Sequence, residues 1–188
     1  YPGGEGGHAI ADVLFGDYNP AGRLPVSIAR NEGQLPIYYS KGEQRAYMDG
    51  NANALYSFGY GLSYTTFEYA NLDMASEVTT DDEAFTLSFD VKNTGAVKAD
   101  EVAQIYLSPA DSNPNVRPIQ LQGFARIALE PGQTRRVEVK MYVEQFGYYS
   151  NEGQRQWNIA PGEFIVKVGA SSQDIRLSEE ISIEGETI

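Results

Sequence analysis

Few side chains in this 188-residue sequence are of a kind that does chemistry, and they do not fall into a reacting set. There is one histidine, His8, and no cysteine. A lone imidazole without thiols makes neither a zinc site nor a nucleophile–base triad. Glu5, inside Gly3-Gly4-Glu5-Gly6-Gly7, is the carboxylate whose setting invites a catalytic reading. It stands near a helix start, however, where backbone N–H groups and the helix dipole favour the ionised form, whereas a general acid needs a raised pKa. Glu5 is therefore expected to cap or tie the loop, and His8 to lie on a surface or between domains. The glycine-rich opening lacks the Lys-Ser/Thr ending and preceding strand of a phosphate loop, so it reads as a tight turn. Asp81-Asp82-Glu83 lacks the spacing of a calcium loop and reads as an exposed turn.

A different chemistry is suggested by Lys41, Glu43, Gln44, Arg45, Tyr47 and Asp49, which follow Tyr38 and Tyr39. Ring faces that stack and charged groups that bond hydroxyls are what a sugar site needs. Tyr38, Tyr39, Arg45 and Tyr47 are the candidate substrate contacts; the competing reading is a solvated connector. Trp157 would serve as a sugar platform if exposed. Lying just before the turn at Pro161-Gly162, it is expected instead in the core or at its edge.

The elements that must position these residues divide the chain in three. In residues 1–30, Ile10, Val13 and Leu14 recur at helical spacing, Gly16 stops the helix, and Leu24, Val26 and Ile28 alternate as an edge strand. One helix and one strand cannot bury their apolar faces alone, so this segment reads as the tail of an α/β domain. Residues 31–66 have no period and hold six tyrosines: 38, 39, 47, 56, 60 and 64. They read as a long connector laid over its neighbours. From Phe67 to residue 188 the pattern is β. Phe85, Leu87, Phe89 and Val91 alternate, as do Val137, Val139 and Met141, and Phe164, Val166 and Val168, with turns at Pro131-Gly132 and Pro161-Gly162. Seven or eight short strands predict a β-sandwich, and without the cysteine pair of antibody domains it is of fibronectin type III-like kind. This sandwich is expected to fold without residues 1–66.

The formal charge of −12 repels phosphate backbones and anionic lipid, which argues against nucleic-acid and membrane partners. No apolar run reaches the roughly 20 residues that span a bilayer. The chain opens at Tyr1-Pro2 without a methionine, so it is expected to belong to a longer polypeptide.

Two long segments are specific. Pro2-Gly3-Gly4-Glu5-Gly6-Gly7 with Ala9-Ile10-Ala11-Asp12-Val13-Leu14-Phe15-Gly16-Asp17-Tyr18-Asn19-Pro20-Ala21-Gly22-Arg23-Leu24-Pro25 resembles the end of the second domain of glycoside hydrolase family 3. Phe58-Gly59-Tyr60-Gly61-Leu62-Ser63-Tyr64-Thr65-Thr66-Phe67 resembles that family's junction into its fibronectin type III-like domain. Val91-Lys92-Asn93-Thr94-Gly95 and Pro161-Gly162-Glu163-Phe164 are similar to motifs of that domain. Val143-Glu144-Gln145-Phe146 departs from the Asp-Leu pair of many relatives, which leaves the strand ends there open. The resemblance implies a retaining, exo-acting β-glucosidase or β-xylosidase, periplasmic or secreted, acting on β-linked sugars without a cofactor. It implies that the nucleophile lies in an N-terminal barrel and the acid/base glutamate upstream of Pro2, so no catalytic residue and no metal ligand is expected in this chain. The remaining alternative is a free-standing carbohydrate-binding or adhesion module, against which the unpaired helix and strand of residues 1–30 speak.

Overall fold

A computed structural model describes residues 3–41, 52–111, 116–150, 156–159 and 161–185. Near the start, helix α1 (Gly6–Phe15) closes on Gly16, which takes the left-handed conformation at φ 86° that a glycine adopts without cost. Ten strands follow among the described residues: β1 (Phe67–Asp73), β2 (Glu77–Thr79), β3 (Ala84–Asn93), β4 (Ala99–Pro109), β5 (Gln120–Leu129), β6 (Thr134–Tyr142), β7 (Tyr148–Ser150), β8 (Gln156–Asn158), β9 (Gly162–Ser171) and β10 (Asp174–Glu184). Strands β1-β3-β6 form one sheet and β2-β10-β9-β4-β5 the other, with β7-β8 as a separate hairpin. Only β2 with β10 is parallel. The expected sandwich is present, with β2, β7 and β8 as short strands the sequence pattern does not announce.

The core lies between the sheets because alternate residues of each strand turn inward. Leu87, Phe89 and Val91 of β3, Ile105 of β4, Val166 and Val168 of β9, and Ile181 of β10 are sealed from solvent. Every member of this apolar cluster comes from Tyr69 or later. Strand β4 departs from alternation: it is buried on both faces, so Gln104 and Tyr106 are as inaccessible as Ile105.

What covers the outer face of β4 is the connector. Gln104 Nε2 donates to the carbonyls of Gly59 and Ala170 at 3.1 and 2.6 Å, and its Oε1 accepts from the Tyr106 hydroxyl at 2.5 Å. Gly59 has φ 81°, and a β-carbon there would overlap the Gln104 amide, so glycine is required both for conformation and for approach. Ser172 N–H donates to the Phe58 carbonyl, which fixes the other flank.

The expected edge strand at Leu24–Ile28 is corrected by the structure. Ile28 makes a single bridge to Tyr56, while Leu24 exchanges backbone bonds with Gly59 and Tyr60. Pro25 has no N–H to give, and the pairing partner is the connector rather than a sheet, so the ladder stops at isolated bonds. The connector is thus a second ribbon laid against the first. Its end is tied back to the tail of α1, where Asn19 Oδ1 accepts from Ser63 and from the Tyr64 N–H, and the Tyr64 hydroxyl donates to the Val13 carbonyl.

Trp157 is also corrected. It is 55% exposed, because β8 belongs to the hairpin outside both sheets and Ile159, two residues on, takes the buried place. Glu5 occupies the N-cap position of α1 but makes no side-chain cap bond; its carboxylate pairs with His8 Nδ1 at 2.7 Å on an exposed face, which agrees with the surface expectation for His8. The Val143–Phe146 segment is a 3-10 turn closing β6, with Val143 and Phe146 buried.

Candidate functional site

Of the candidate contacts, Tyr38 and Tyr39 belong to the described residues; Arg45 and Tyr47 lie outside them. The two tyrosines differ. Tyr39 stacks on Phe58 with ring centroids 4.1 Å apart, meets Tyr106 edge-on at 6.5 Å, and its hydroxyl accepts from the Leu121 N–H at 3.2 Å. That packing pins the connector to the sandwich. Tyr38 faces outward, and Lys41 Nζ stands 4.8 Å above its ring. A cation held over an aromatic face stiffens a surface group by about 0.5–1 kcal/mol.

Tyr38, Tyr39 and Lys41 line a cleft of about 440 Å³ between connector and sandwich. Ser57 of the connector and Ser172 and Gln173 of the sandwich also line it. Aromatic faces, a cation and small polar groups in an open cleft suit a neutral hydroxylated ligand. Lys41 and Ala52, between which residues 42–51 fall in the sequence, both line the cleft.

The chain also holds a buried ionic group that joins the segment before Ile28 to the sandwich. Glu101 of β4, 1% exposed, accepts from Arg23 Nη2 at 2.5 Å and from the Tyr69 hydroxyl at 2.7 Å. Arg176 of β10 lies 4.8 Å over the Tyr69 ring. Burial, then the Glu101 charge, pushes the Tyr69 phenol far above its ordinary pKa, so it stays a donor to the carboxylate. Gly61 makes room for the guanidinium, since a β-carbon there would overlap Arg23. The sequence gives no sign of this group: Arg23 and Glu101 are 78 residues apart and Tyr69 is 32 from Glu101. No cluster of three or more metal-ligating side chains occurs among the described residues.

The comparisons with known proteins agree with this anatomy. The family model described as the glycosyl hydrolase family 3 C-terminal domain matches residues 1–64, and the fibronectin type III-like domain model matches residues 101–172. The chain is 39% identical to a periplasmic beta-glucosidase of Salmonella typhimurium over 94% of its own length and 24% of that protein's. It is 40% identical to a xylan 1,4-beta-xylosidase of Xylanibacter ruminicola over 93% of its length and 20% of the relative's. Among solved structures, a β-glucosidase from Erythrobacter marinus superposes with a TM-score of 0.88 at 37% identity, covering 98% of this chain and 24% of that one. A Listeria innocua β-glucosidase in complex with glucose gives 0.88 at 29% identity, over 100% of this chain and 28% of that one. The chain therefore spans about a quarter of the length of these relatives. With both segments matched in order and the tail-to-sandwich junction built as described, the chain belongs to glycoside hydrolase family 3, of which it carries the C-terminal α/β segment and the fibronectin type III-like domain.

Proposed function

We propose that the chain works as the non-catalytic C-terminal part of a retaining, exo-acting β-glycosidase of β-glucosidase or β-xylosidase type, exported to the periplasm or beyond the cell. The carrying observation is the junction: the Arg23–Glu101 pair and the Gly59–Gln104 contact lock an α/β tail onto a sandwich whose core needs no part of it. Such a joint is of use to a protein whose α/β part does work of its own. Relatives similar to this chain over most of its length carry the names beta-glucosidase and xylan 1,4-beta-xylosidase, and one of them is called periplasmic. No helix among the described residues is long and apolar enough to cross a membrane. Residues 1–30 then complete the α/β domain, 31–66 connect, and 67–188 brace. The chain alone hydrolyses no glycoside, and nitrophenyl β-glucoside and β-xyloside assays on it give no turnover.

In this reading the loop that begins at Tyr38 reaches the leaving-group side of the substrate entrance. Tyr38 and Lys41 on the cleft wall support it, since the chain continues from them to Arg45 and Tyr47. Removing a hydrogen-bonding group there costs about 1–3 kcal/mol of binding to a longer substrate and nothing to a small aryl glycoside. Replacing Arg45 and Tyr47 by alanine in the full-length enzyme lowers kcat/KM on a disaccharide and spares the aryl glycoside. Equal rates on both substrates would reduce the loop to a connector.

A further inference from the structure

We propose that Tyr149 and Trp157, together with Gln120, Gln122 and Glu144, form a second sugar-binding surface on the sandwich, one that takes a β-linked oligosaccharide. In the β7-β8 hairpin Tyr149 stands directly opposite Trp157. Directly paired residues project on the same side of a ribbon with β-carbons about 4.5–5.5 Å apart. The next pair, Tyr148 and Asn158, projects to the other side, where Asn158 is buried. The hairpin therefore has an inner side and an outer aromatic side. On that outer side Tyr149 is 52% and Trp157 55% exposed.

The tryptophan is held rather than loose. Its Nε1–H donates to the Glu144 carbonyl at 3.3 Å, and its ring edge rests on Gly147, where any β-carbon would overlap the indole. A large apolar ring fixed by its polar edge and left open to water is pre-organised for a stacking ligand.

Beside the indole lies a shallow cavity of about 420 Å³ lined by Gln120, Gln122, Glu144 and Gln145. Its floor is rigid: Gln122 Nε2 donates to the Gln145 carbonyl at 3.0 Å, Gln145 Nε2 donates to the Gln122 carbonyl at 2.9 Å, and Gln145 Oε1 accepts from the Tyr142 N–H. No cationic side chain among the described residues lines it. The formal charge of −12 on the whole chain adds a field that disfavours an anionic ligand. Amides and a carboxylate beside the indole, with Tyr149 paired to Trp157 across the hairpin, fit a neutral ligand that has an apolar face and hydroxyls at its rim. A β-linked pyranose chain has that form, since its equatorial hydroxyls leave axial C–H groups on both faces. The family reading enters only in choosing which sugars to offer.

Trp157 is the sole tryptophan, so its emission reports on this surface alone. The 188-residue chain is titrated with cellotetraose, laminaritetraose and xylotetraose, and with glucose for comparison. At least one tetrasaccharide shifts and quenches the emission to saturation, with glucose about tenfold weaker because it spans one ring only. Tyr149→Ala keeps the reporter and weakens binding by about tenfold. Calorimetry on Trp157→Ala finds no binding, and the hairpin's position outside the core leaves the melting transition in place. Unchanged emission with every tetrasaccharide overturns the proposal, as does calorimetric binding that survives Trp157→Ala. Self-association lost on Tyr149→Ala would also overturn it and assign the patch to a protein contact. The titration involves no turnover, so a failed substrate-entrance test leaves it standing and the converse holds.

Discussion

Asn93, wholly buried at the end of β3, ties three segments with one amide. Its Nδ2 donates to the carbonyls of Val97 and Leu129, and its Oδ1 accepts from the Thr65 hydroxyl and the Gly95 N–H. Alanine at this position takes a partner from two carbonyls and two donors, of which the Leu129 bond is fully buried, and a buried unpaired polar group costs about 1–3 kcal/mol. We expect Asn93→Ala to lose about 3 kcal/mol of unfolding free energy in urea, and a loss below about 0.5 kcal/mol would mean that water replaces the amide. Asp82 works at the surface and through charge. Its carboxylate accepts from the Thr79 N–H and, second, the Thr79 hydroxyl, which together hold its pKa below the ordinary 3.8. A lowered folded-state value means stability that is present above pH 3.8 and lost as pH falls through the lowered value. The melting-temperature gap between the natural chain and Asp82→Asn is therefore steady at neutral pH and narrows below about pH 4. A gap independent of pH would remove the charge from the explanation.

Elements differ in how far the sequence announces them. The strands of the core were legible because a half-buried strand writes its burial in steps of two, as Leu87, Phe89 and Val91 do. Helix α1 was legible from Ile10, Val13, Leu14 and the stop at Gly16. Leu24, Val26 and Ile28 alternate just as well, but alternation describes a face and not a partner; their partner is a connector without any period of its own. For the same reason Trp157 lies outside the core in which it is expected: the turn at Pro161-Gly162 indicates a strand before it, and nothing local tells whether that strand joins a sheet or stands apart. Of the candidate site, Tyr38 and Lys41 do share a cleft, while the chemistry of Tyr39 is spent on Phe58 and Leu121. The joint between elements is open to test through Arg23. Its Nη2 is the cationic partner of the buried Glu101, and breaking a buried pair from one side costs about 3–5 kcal/mol. Arg23→Ala should approach that loss. Arg23→Met with Glu101→Leu should recover much of it, because the desolvated charges are removed together. A double variant no better than the single one would show that the carboxylate serves Tyr69 more than it serves Arg23.

At the scale of the whole chain, the sandwich and the segments before it are unequal partners. The apolar cluster and the side chains packed on it draw on nothing before Phe67, so a chain from Phe67 onward keeps its core. It does lose the cover over Gln104 and Tyr106 and the counter-charge of Glu101. We expect that shortened chain to melt cooperatively but several degrees below the 188-residue chain, since for a domain of this size about 1 kcal/mol moves the midpoint by roughly 2–8 °C. A shortened chain without a transition would place the outer cover of β4 among the requirements for folding.

The bridge between Ile28 and Tyr56 has one more consequence. It makes everything between those residues a closed loop with both feet fixed on the body of the protein. Closing a longer loop costs little, about 0.6 kcal/mol for each doubling of its length. A loop held in this way can gain or lose residues, or be cut by a protease, while the halves on either side stay joined through Leu24, Gly59 and Tyr60. In descent as in engineering, it is a place where length and side chains can be rewritten without the fold having to be solved again.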